Sequence, residues 1–427
     1  MAAIPSTFVA ERKAALYRKL NWRLLPFLLA CYTFAFLDRV NIGFAKLQMQ
    51  SDLGFSDAVY GLGAGIFFLG YVLFEIPSNL LLPRVGARKT ISRIMVLWGA
   101  TSAGMMFVNS EPMFYTLRFL LGVFEAGFAP GMIFYLTYWY GRARMAQVMA
   151  IVMLAGPIGG MFGGPLSTWI MTSFSGAHGL GGWQWMFLIE GLPCVVFGVV
   201  ALFFLDDRPA DARWLSADEK RMLAAETDLP SKHHSFAQVL RDPRVYLLAL
   251  PYFCFICGIY AVSFWLPSII KSAGVRDTMQ IGLYSSIPYV VAAIAMVLVG
   301  RSSDRRDERR FHAAVPALIG SATLALATLF GGNLALALTC MTISTAAMWT
   351  AYTVFWAMPS DYLKGDAAAG GIALINTIGL IGGFLSPTII GWAQGLTGSL
   401  HAGLYVMVAL LALGGFALIA MREARTA

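Results

Sequence analysis

Apolar runs of about 20 residues recur along the whole chain and constrain its fold more than any other feature. A run of this length crosses about 30 Å of hydrocarbon as an α-helix. Of the 427 residues, 58% are hydrophobic and only 13% are charged, whereas soluble domains carry about 25% charged residues. The alternating segments of about ten residues that mark membrane β-barrels do not recur. The sequence therefore predicts an all-α membrane protein.

One long polar segment divides the apolar runs into two sets of six. The predicted spanning helices are Trp22–Met49, Asp57–Leu82, Lys89–Asn109, Pro112–Tyr138, Ala143–Met171 and Gln184–Phe204, then Val245–Ile270, Gln280–Gly300, Ala313–Gly331, Leu334–Ser360, Ala367–Gln394 and His401–Met421. We expect an N-terminal bundle over residues 1–205, a linker over 206–244 and a C-terminal bundle over 245–427. Two such bundles are typical of transporters whose substrate site lies between the halves.

The linker is rich in charges of both signs and is interrupted by Pro209, Pro230 and Pro243. Within it, Ser216 and Glu219 have the spacing of a capping box, in which each side chain accepts a hydrogen bond from the backbone of the other. This spacing predicts a short surface helix that begins after Ser216.

Lysine and arginine concentrate on one side of the predicted membrane. If the N-terminus lies inside, 26 of the 31 Lys and Arg residues fall in inside segments, and only Lys46, Lys271 and Arg276 fall outside. Cytoplasmic loops hold such an excess, so both termini and the linker are predicted to be cytoplasmic. The asymmetry accounts for the net charge of +8, and no nucleic-acid partner is expected. The start of the chain predicts no cleaved signal peptide.

All five cysteines fall within predicted spans, where structural disulfides are not expected. Cys254 and Cys257 have C-x-x-C spacing, but a metal site would need a second pair of ligands nearby. We therefore expect neither a metal site nor a cofactor.

Ionisable residues inside the spans are few, and each needs a reason because a charge at the bilayer centre costs about 2.5 to 3.5 kcal/mol on insertion scales. They all lie in the N-terminal half: Asp38, Arg39, Glu75, Arg118, Glu125 and Glu190. Arg118 and Glu125 are seven residues apart and share one helix face. This face is expected to handle an anion, and the alternative is a structural ion-pair network.

Asp38 and Arg39 are adjacent, so they point about 100° apart on a helix and need different partners. One arrangement pairs Asp38 with a basic group of the fourth helix and leaves Arg39 facing a cavity, where its planar guanidinium would bind a carboxylate. The alternative is that Arg39 extends to the outer surface. No histidine lies deep in a span, so any coupled proton must be carried by carboxylates such as Asp38 and Glu125.

Glu75 and Glu190 are expected to have structural or gating roles rather than to contact substrate. The C-terminal half offers neutral polar and aromatic side chains that suit substrate hydroxyl groups: Tyr260, Ser263, Tyr352, Trp356, Asn376 and Ser386. For any single aromatic residue in this set, packing or a place in the interfacial belt is the alternative role.

Several motifs of this chain resemble the anion:cation symporter family of the major facilitator superfamily, and in particular bacterial tartrate and phthalate transporters. The resemblance covers nearly the whole chain and is carried by residues 38–43, 74–79, 86–89, 118–130 and 264–267. It implies proton-coupled uptake of carboxylates or sugar acids across the bacterial inner membrane by a protein that functions as a monomer among membrane lipids. It further implies that Asp38 and Glu125 carry protons, that Arg39 and Arg118 handle the anion, and that Tyr71 and Asn376 contact substrate.

The loop motif of this superfamily differs between the two halves. After the second helix it is degraded and lacks its glycine and aspartate, although Arg84 and Arg88 remain. After the eighth helix, Gly300, Asp304 and Arg305 keep the standard pattern. The resemblance implies that these residues gate the cytoplasmic side.

Three other functions are alternatives to anion symport. The segment Gly156–Gly160 is similar to the glycine motif of drug exporters, but it is one residue short and is equally explained by helix packing. A multidrug/proton antiporter therefore remains an alternative, although arginines at the site favour anions over cationic drugs. A sodium-coupled anion carrier is the second alternative. A membrane-embedded enzyme or sensor would need a catalytic constellation or a soluble domain, and the linker of 39 residues supplies neither.

Overall fold

A computed structural model describes residues 6–225, 240–330, 332–359 and 367–421. Its α-helices are α1 (Ser6–Val40), α2 (Ile42–Leu53), α3 (Asp57–Val85), α4 (Ala87–Gly104), α5 (Glu111–Glu125), α6 (Phe128–Thr137), α7 (Arg142–Met153), α8 (Ala155–Ser173), α9 (Gly182–Phe204), α10 (Ala217–Ala224), α11 (Pro243–Ser272), α12 (Thr278–Arg306), α13 (Arg310–Leu329), α14 (Leu334–Phe355), α15 (Ala367–Thr397) and α16 (Leu400–Ala420). Short 3-10 helices cover Met105–Phe107, Ala177–Gly179 and Pro209–Asp211. The predicted helix ends at Gly331 and Ser360, and the part of the linker that contains Pro230, lie outside the described residues.

Within these described ranges, eleven helical stretches are long and apolar enough to cross a membrane. They confirm the predicted all-α membrane class. The third predicted span corresponds to α4, which is not among the eleven. Its 18 residues begin with a basic segment that contains Arg88, Lys89 and Arg93, and basic side chains lower the hydropathy of a helix. The count of twelve crossings stays a prediction.

Helix breaks interrupt spans that the sequence pattern predicted as continuous. Asn41 separates α1 from α2, two residues after Arg39, and Ala126 and Gly127 separate α5 from α6 directly after Glu125. Gly127 has a φ of +86°, a conformation that residues with a Cβ rarely adopt. Non-helical backbone at membrane depth is tolerated where protein covers it, and these breaks lie next to buried charged side chains.

The helices of each half pack mainly against one another. In the N-terminal half α4 lies along α9 and α3 lies along α5, and in the C-terminal half α13 lies along α14 and α16. The halves meet where α3 packs against α15, α8 against α12 and α2 against α11. The α3–α15 contact is close because a Cβ added to Gly61 would lie 2.9 Å from the Cα of Gly391. The region between the halves is therefore lined by α2, α3, α8, α11, α12 and α15.

The linker begins with the surface helix that the sequence predicted. Ser216 Oγ accepts a hydrogen bond from the backbone amide of Glu219 at 3.2 Å, and Glu219 Oε2 accepts from the backbone amide of Ser216 at 2.7 Å. The capping box and α10 are thus confirmed. Lys19 of α1 forms an ion pair with Glu219 at 3.0 Å, and the Trp214 ring stacks on Trp139 at an interplanar angle of 10°. The start of the linker is therefore held against the N-terminal half.

Candidate functional site

Arg39 joins the two halves at the centre of the polar residues. One guanidinium nitrogen forms an ion pair with Glu125 at the end of α5. Another donates a hydrogen bond to the hydroxyl of Tyr260, on α11 of the opposite half, at 2.7 Å. Arg39 is 8% exposed, and its Nε has no hydrogen-bond partner among the described residues. Arg39 therefore faces the region between the halves rather than the outer surface.

Two aromatic rings on α3 complete the surroundings of Arg39. Its guanidinium carbon lies 5.4 Å from the ring centroid of Phe67 and 5.5 Å from that of Tyr71. A cation near the face of an aromatic ring is attracted by the negative potential of that face. Arg39, Glu125, Tyr71 and Tyr260 form one cluster, which we call the arginine site. The structure thus brings together four of the predicted site residues.

Arg118 forms no ion pair with Asp38. This differs from the predicted arrangement, in which Asp38 pairs with a basic group of the fourth helix. Its side chain is fully buried, and it donates hydrogen bonds to the backbone carbonyls of Gly63 at 3.1 Å and Ala64 at 3.2 Å on α3. A buried arginine is stabilised by carbonyl acceptors as well as by carboxylates. Its guanidinium carbon lies 5.2 Å from the Phe67 centroid, so the Phe67 ring contacts both arginines. The visible role of Arg118 is to join α5 to α3.

Asp38 is held by neutral donors instead of a cation. Its carboxyl oxygens accept from Trp98 Nε1 at 2.6 Å and from Ser102 Oγ at 2.9 Å, both on α4. Asn41 Nδ2 donates to it at 3.3 Å, and Cys194 Sγ of α9 lies at 3.5 Å. Asp38 thus points into the N-terminal half, away from the arginine site. The prediction that Asp38 and Arg39 need different partners is confirmed, because adjacent side chains on a helix diverge.

Glu190 shares a partner with Asp38, a relation the sequence did not reveal. Its carboxyl accepts from Ser167 Oγ of α8 at 2.7 Å and from Asn41 Nδ2 at 3.0 Å. Asn41 therefore donates to both Asp38 and Glu190. It lies at the break between α1 and α2. The spacing of residues along the sequence gives no indication of this hydrogen-bonded bridge.

A second polar bridge between the halves involves Glu75. Its Oε1 accepts a hydrogen bond from the side-chain amide of Asn376, on α15, at 2.9 Å. The Oδ1 of Asn376 in turn accepts from the Tyr252 hydroxyl at 3.0 Å. Tyr352, predicted to contact substrate, stacks against Tyr252 with ring centroids 6.0 Å apart. Asn376 and Tyr352 thus belong to a neighbouring cluster rather than to the arginine site.

The glycine-rich segment of α8 packs against aromatic side chains of the other half. A Cβ added at Gly156 would lie 2.5 Å from the Trp349 ring of α14, and one added at Gly160 would lie 2.4 Å from the Tyr289 ring of α12. Close packing between the halves thus accounts for these glycines. The similarity to the drug-exporter motif needs no further explanation.

The two segments that carry the predicted gating residues differ in their contacts. Arg84 lies in the last turn of α3 and is exposed, and the backbone amide of Arg88, in the first turn of α4, donates to Asp207 Oδ1 at 2.9 Å. The start of the linker thus supplies a carboxylate to a loop whose own motif lacks the aspartate. Gly300, Asp304 and Arg305 lie near the end of α12 and not in the predicted loop. Asp304 forms an ion pair with Arg309, while Arg305 lines a surface cavity of about 300 Å³. Among the described residues, no atom outside the local helix backbone lies within 4 Å of a Cβ added at Gly300.

Glu308, in the loop after α12, is a residue that motif comparison did not single out. Partial burial disfavours its charged form, but the backbone amides of Phe311 and His312 and the His312 ring donate to its carboxylate. Together these donors hold the pKa of Glu308 below its ordinary value. The residue therefore caps the first turn of α13.

Lys46 of α2, predicted only as an outside-facing charge, joins the halves. This end of the bundle, where α2 ends and α3 begins, is called the outer end, following the loop-charge prediction. Lys46 forms an ion pair with Asp57 at 2.7 Å, and its Nζ lies 3.7 Å from the Trp265 ring centroid on α11. The hydroxyl of Tyr60 donates to the Phe264 carbonyl at 2.9 Å. These contacts hold the two halves together at the outer end.

Comparison with known proteins identifies relatives along most of the chain. The sequence profile of the Major Facilitator Superfamily matches residues 28–387. The metabolite transport protein NicT of Pseudomonas putida, a provisional name, is 47% identical, over 95% of this chain and 94% of NicT. A provisionally named tartrate transporter of Agrobacterium vitis is 46% identical, over 94% of this chain and 90% of that protein. A quinolone resistance transporter of Acinetobacter baumannii is 39% identical, over 93% and 92% of the two chains.

Solved structures share the fold at low sequence identity. An inward-facing, occupied structure of a bacterial homologue of the human lysosomal transporter Spinster has a TM-score of 0.76 at 17% identity and covers 93% of this chain and 95% of its own. A D-xylose–proton symporter has a TM-score of 0.74 at 15% identity, covering 92% and 96%. These likenesses concern the arrangement of the helices.

Proposed function

The chain belongs to the major facilitator superfamily, and we propose that it is a proton-coupled symporter that imports small organic anions by alternating access. Family membership makes it a transport protein and not an enzyme. The proposed substrates are hydroxy-dicarboxylates such as tartrate, or sugar acids. The proposal rests on one observation above all, the ion pair between Arg39 and Glu125 beside the hydroxyl of Tyr260.

The ion pair suggests how a proton and an anion are coupled. Arg39 contacts residues of both halves, and Glu125 occupies the position that a substrate carboxylate needs. When Glu125 takes up a proton, its negative charge disappears and Arg39 is left without an anionic partner. Leaving one charge of a buried pair uncompensated costs about 3 to 5 kcal/mol. A substrate carboxylate that binds Arg39 restores the pair, so proton uptake favours anion binding.

The neighbouring clusters supply the other proposed roles. Tyr71 and Tyr260 of the arginine site orient the bound carboxylate, while Asn376 and Tyr352 of the neighbouring cluster offer amide and hydroxyl groups to the distal part of the substrate. Asp38 and Glu125 supply two carboxyl groups for protons. A monoanion carried with one proton moves no net charge, whereas a second proton gains about 2.3 kcal/mol per 100 mV of membrane potential.

Uptake into proteoliposomes tests this function. Purified protein is assayed with tartrate, other hydroxy-dicarboxylates, aldonates and aromatic acids under an inside-alkaline pH gradient. We expect at least one acid to accumulate against its gradient in sodium-free buffer. Accumulation that needs a sodium gradient and ignores the pH gradient would contradict proton symport and favour a sodium-coupled carrier.

A multidrug/proton antiporter is the second candidate, because the Acinetobacter baumannii relative is named for quinolone resistance. The two functions differ in direction and in the charge of the cargo. An antiporter would move a cationic drug into inside-out vesicles as protons leave their lumen, and organic acids would not compete. Organic acids that stabilise the purified protein in a thermal-shift screen, with loss of the effect in Arg39→Ala, would favour the symporter.

A further inference from the structure

A second acidic site lies beside the arginine site, on the other side of α1. Asp38 of α1 is 1% exposed and Glu190 of α9 is 2% exposed. The side-chain amide of Asn41 lies between them, because its Nδ2 is 3.3 Å from a carboxyl oxygen of Asp38 and 3.0 Å from one of Glu190. Two carboxyl groups are thus within hydrogen-bond distance of a single nitrogen atom.

Neither of these two carboxyl groups forms an ion pair in the part of the chain that the structure describes. Their other donors are neutral: Trp98 and Ser102 for Asp38, and Ser167 for Glu190. Two like charges that share a buried site disfavour each other's ionised form. The composition of the site therefore favours the presence of a proton.

The Oδ1 of Asn41 is a second feature of this site. Asn41 is 1% exposed, and within the described parts of the chain its Oδ1 accepts no hydrogen bond. A buried polar atom without a partner carries a free-energy cost. The atom belongs to the same amide that bridges the carboxyl groups, and a protonated carboxyl has the O–H group that this acceptor lacks.

We propose that Asp38 and Glu190 form one shared proton-binding site bridged by Asn41. The proposal rests on the proton-coupled transport proposed above and adds Glu190 and Asn41 to its coupling residues. A hydronium ion gives one proton to a carboxyl oxygen of either residue, so one O–H bond breaks, one O–H bond forms and water is left. Glu190 is thereby given a coupling role, where the sequence suggested a structural or gating one.

The position of Asn41 connects this site to the contact between the halves. Asn41 lies between α1, which carries Arg39, and α2, which packs against α11. On α2, a Cβ added at Gly43 would lie 3.0 Å from the Phe264 carbonyl of α11. A change in the hydrogen bonds of Asn41 therefore acts between Arg39, which binds the substrate in our proposal, and α2, which contacts the other half at the outer end.

Other titratable groups act on the shared site from the helices around it. Glu125 and Arg118 of α5 and Cys194 of α9 interact electrostatically with Asp38, and Cys31 of α1 interacts with Cys194. The helices α4 and α8 contribute the neutral donors named above. Glu125 is the other carboxyl in this set, so any test must separate it from Glu190.

Infrared spectroscopy of the reconstituted protein tests the shared site without a substrate. Spectra of the wild type, Glu190→Gln and Asp38→Asn are compared across a pH series for the carbonyl band of protonated carboxyl groups. Because the residues share a site, we expect each substitution to remove one carboxyl signal and to move the pH midpoint of the remaining one by at least about one pH unit. Glu308→Gln changes an acid in a cytoplasmic loop and serves as the control that leaves both signals in place.

The pH midpoints decide the outcome. If Glu190→Gln leaves the midpoint of Asp38 unchanged, the two carboxyl groups titrate independently and the shared site is wrong. If one of the two variants fails to fold, the other still reports whether the pH midpoint of the remaining carboxyl group has moved. Asn41→Ala is a further test, because removal of the bridging amide should also shift both midpoints.

Tartrate transport then separates this inference from the proposed function. In proteoliposomes we expect Glu190→Gln to lose at least tenfold of its pH-driven tartrate uptake while it keeps tartrate exchange at equal pH. If wild-type tartrate uptake does not depend on the pH gradient but the infrared midpoints of the two carboxyl groups are coupled, proton symport of tartrate is wrong and the shared site is still supported. If Glu190→Gln keeps the pH-driven tartrate uptake of the wild type, the coupling role of Glu190 is wrong and the proposed function is unaffected.

Discussion

The N-terminal and C-terminal halves meet with different side-chain chemistry. The six charged residues that lie away from the ends of the predicted spans all belong to the N-terminal half, whereas the C-terminal half offers tyrosine hydroxyls, an amide and aromatic rings. Two of the side-chain hydrogen bonds between them run from Arg39 to Tyr260 and from Asn376 to Glu75. In each, a charged residue of one half meets a neutral group of the other.

This difference suggests a division of labour between the halves. Charged groups change their interactions strongly when a proton or an anion binds, so we assign the proposed coupling to the N-terminal half. Neutral hydroxyl and amide groups distinguish substrates by hydrogen bonding and shape at a smaller energetic cost. The C-terminal half is thus suited to selecting the substrate, and the predictions below test this division.

Loss of Arg39 is expected to have the largest effect. Arg39→Ala removes the guanidinium that pairs with Glu125 and, in our proposal, with the substrate carboxylate. Charge-assisted bidentate contacts are among the strongest hydrogen bonds, and a loss of about 3 kcal/mol corresponds to a more than 100-fold decrease in affinity. Tartrate uptake by proteoliposomes and thermal shifts with tartrate measure this loss.

Arg118→Lys is the matched comparison within the same half. Because Arg118 donates to the carbonyls of Gly63 and Ala64, we expect this change to lower thermal stability by several degrees and to leave the tartrate affinity of the folded protein within about threefold. An affinity loss as large as that of Arg39→Ala would show that Arg118 also binds the anion.

Glu125→Gln is expected to separate coupling from binding. Glutamine keeps the size of the side chain but carries no charge and no titratable proton. We expect pH-driven accumulation to fall at least tenfold, while exchange of labelled for unlabelled tartrate at equal pH continues. A variant that still accumulates tartrate under a pH gradient would remove Glu125 from the coupling mechanism.

Substitutions in the C-terminal half are expected to change selectivity more than coupling. Asn376→Ala and Tyr352→Phe each remove neutral hydrogen-bonding groups, for which a typical net contribution is about 1 kcal/mol. Apparent affinity for tartrate should weaken by about fivefold, with a different ranking of hydroxy acids and an unchanged dependence on the pH gradient. Loss of proton coupling in either variant would contradict the proposed division of roles between the halves.

The smallest expected effect concerns the loop after α12. Glu308 accepts hydrogen bonds from the backbone amides of Phe311 and His312, so Glu308→Gln should cost about 0.5 to 1 kcal/mol of stability, as loss of a helix cap does. The pKa of Glu308 is lowered in the folded protein, so its contribution is complete above the unfolded pKa of about 4.3 and is lost as pH falls through the lower folded value. The difference in thermal stability between wild type and variant should therefore shrink under acidic conditions.

The residues of the arginine site could be selected from the sequence, but their pairing could not. Each intramembrane charge stands out because it is costly in hydrocarbon. Its partner depends on which helices lie beside it, and for Arg39 that partner proved to be Glu125, 86 positions along the chain. The bridge from Asn41 to Asp38 and Glu190 escaped notice for the same reason, since an asparagine near a helix break carries no distinctive pattern.

The sequence by itself determined the membrane class, the helical spans, the capping box of α10 and the residues able to carry charge. These follow from run length, local spacing and composition, which act over a few turns of helix. Only the tertiary structure decided that Asp38 turns away from Arg39, that Arg118 binds backbone carbonyls and that α5 breaks after Glu125. Such choices depend on neighbours from distant parts of the chain, because a buried polar group takes whichever partner the packed helices bring within hydrogen-bond distance.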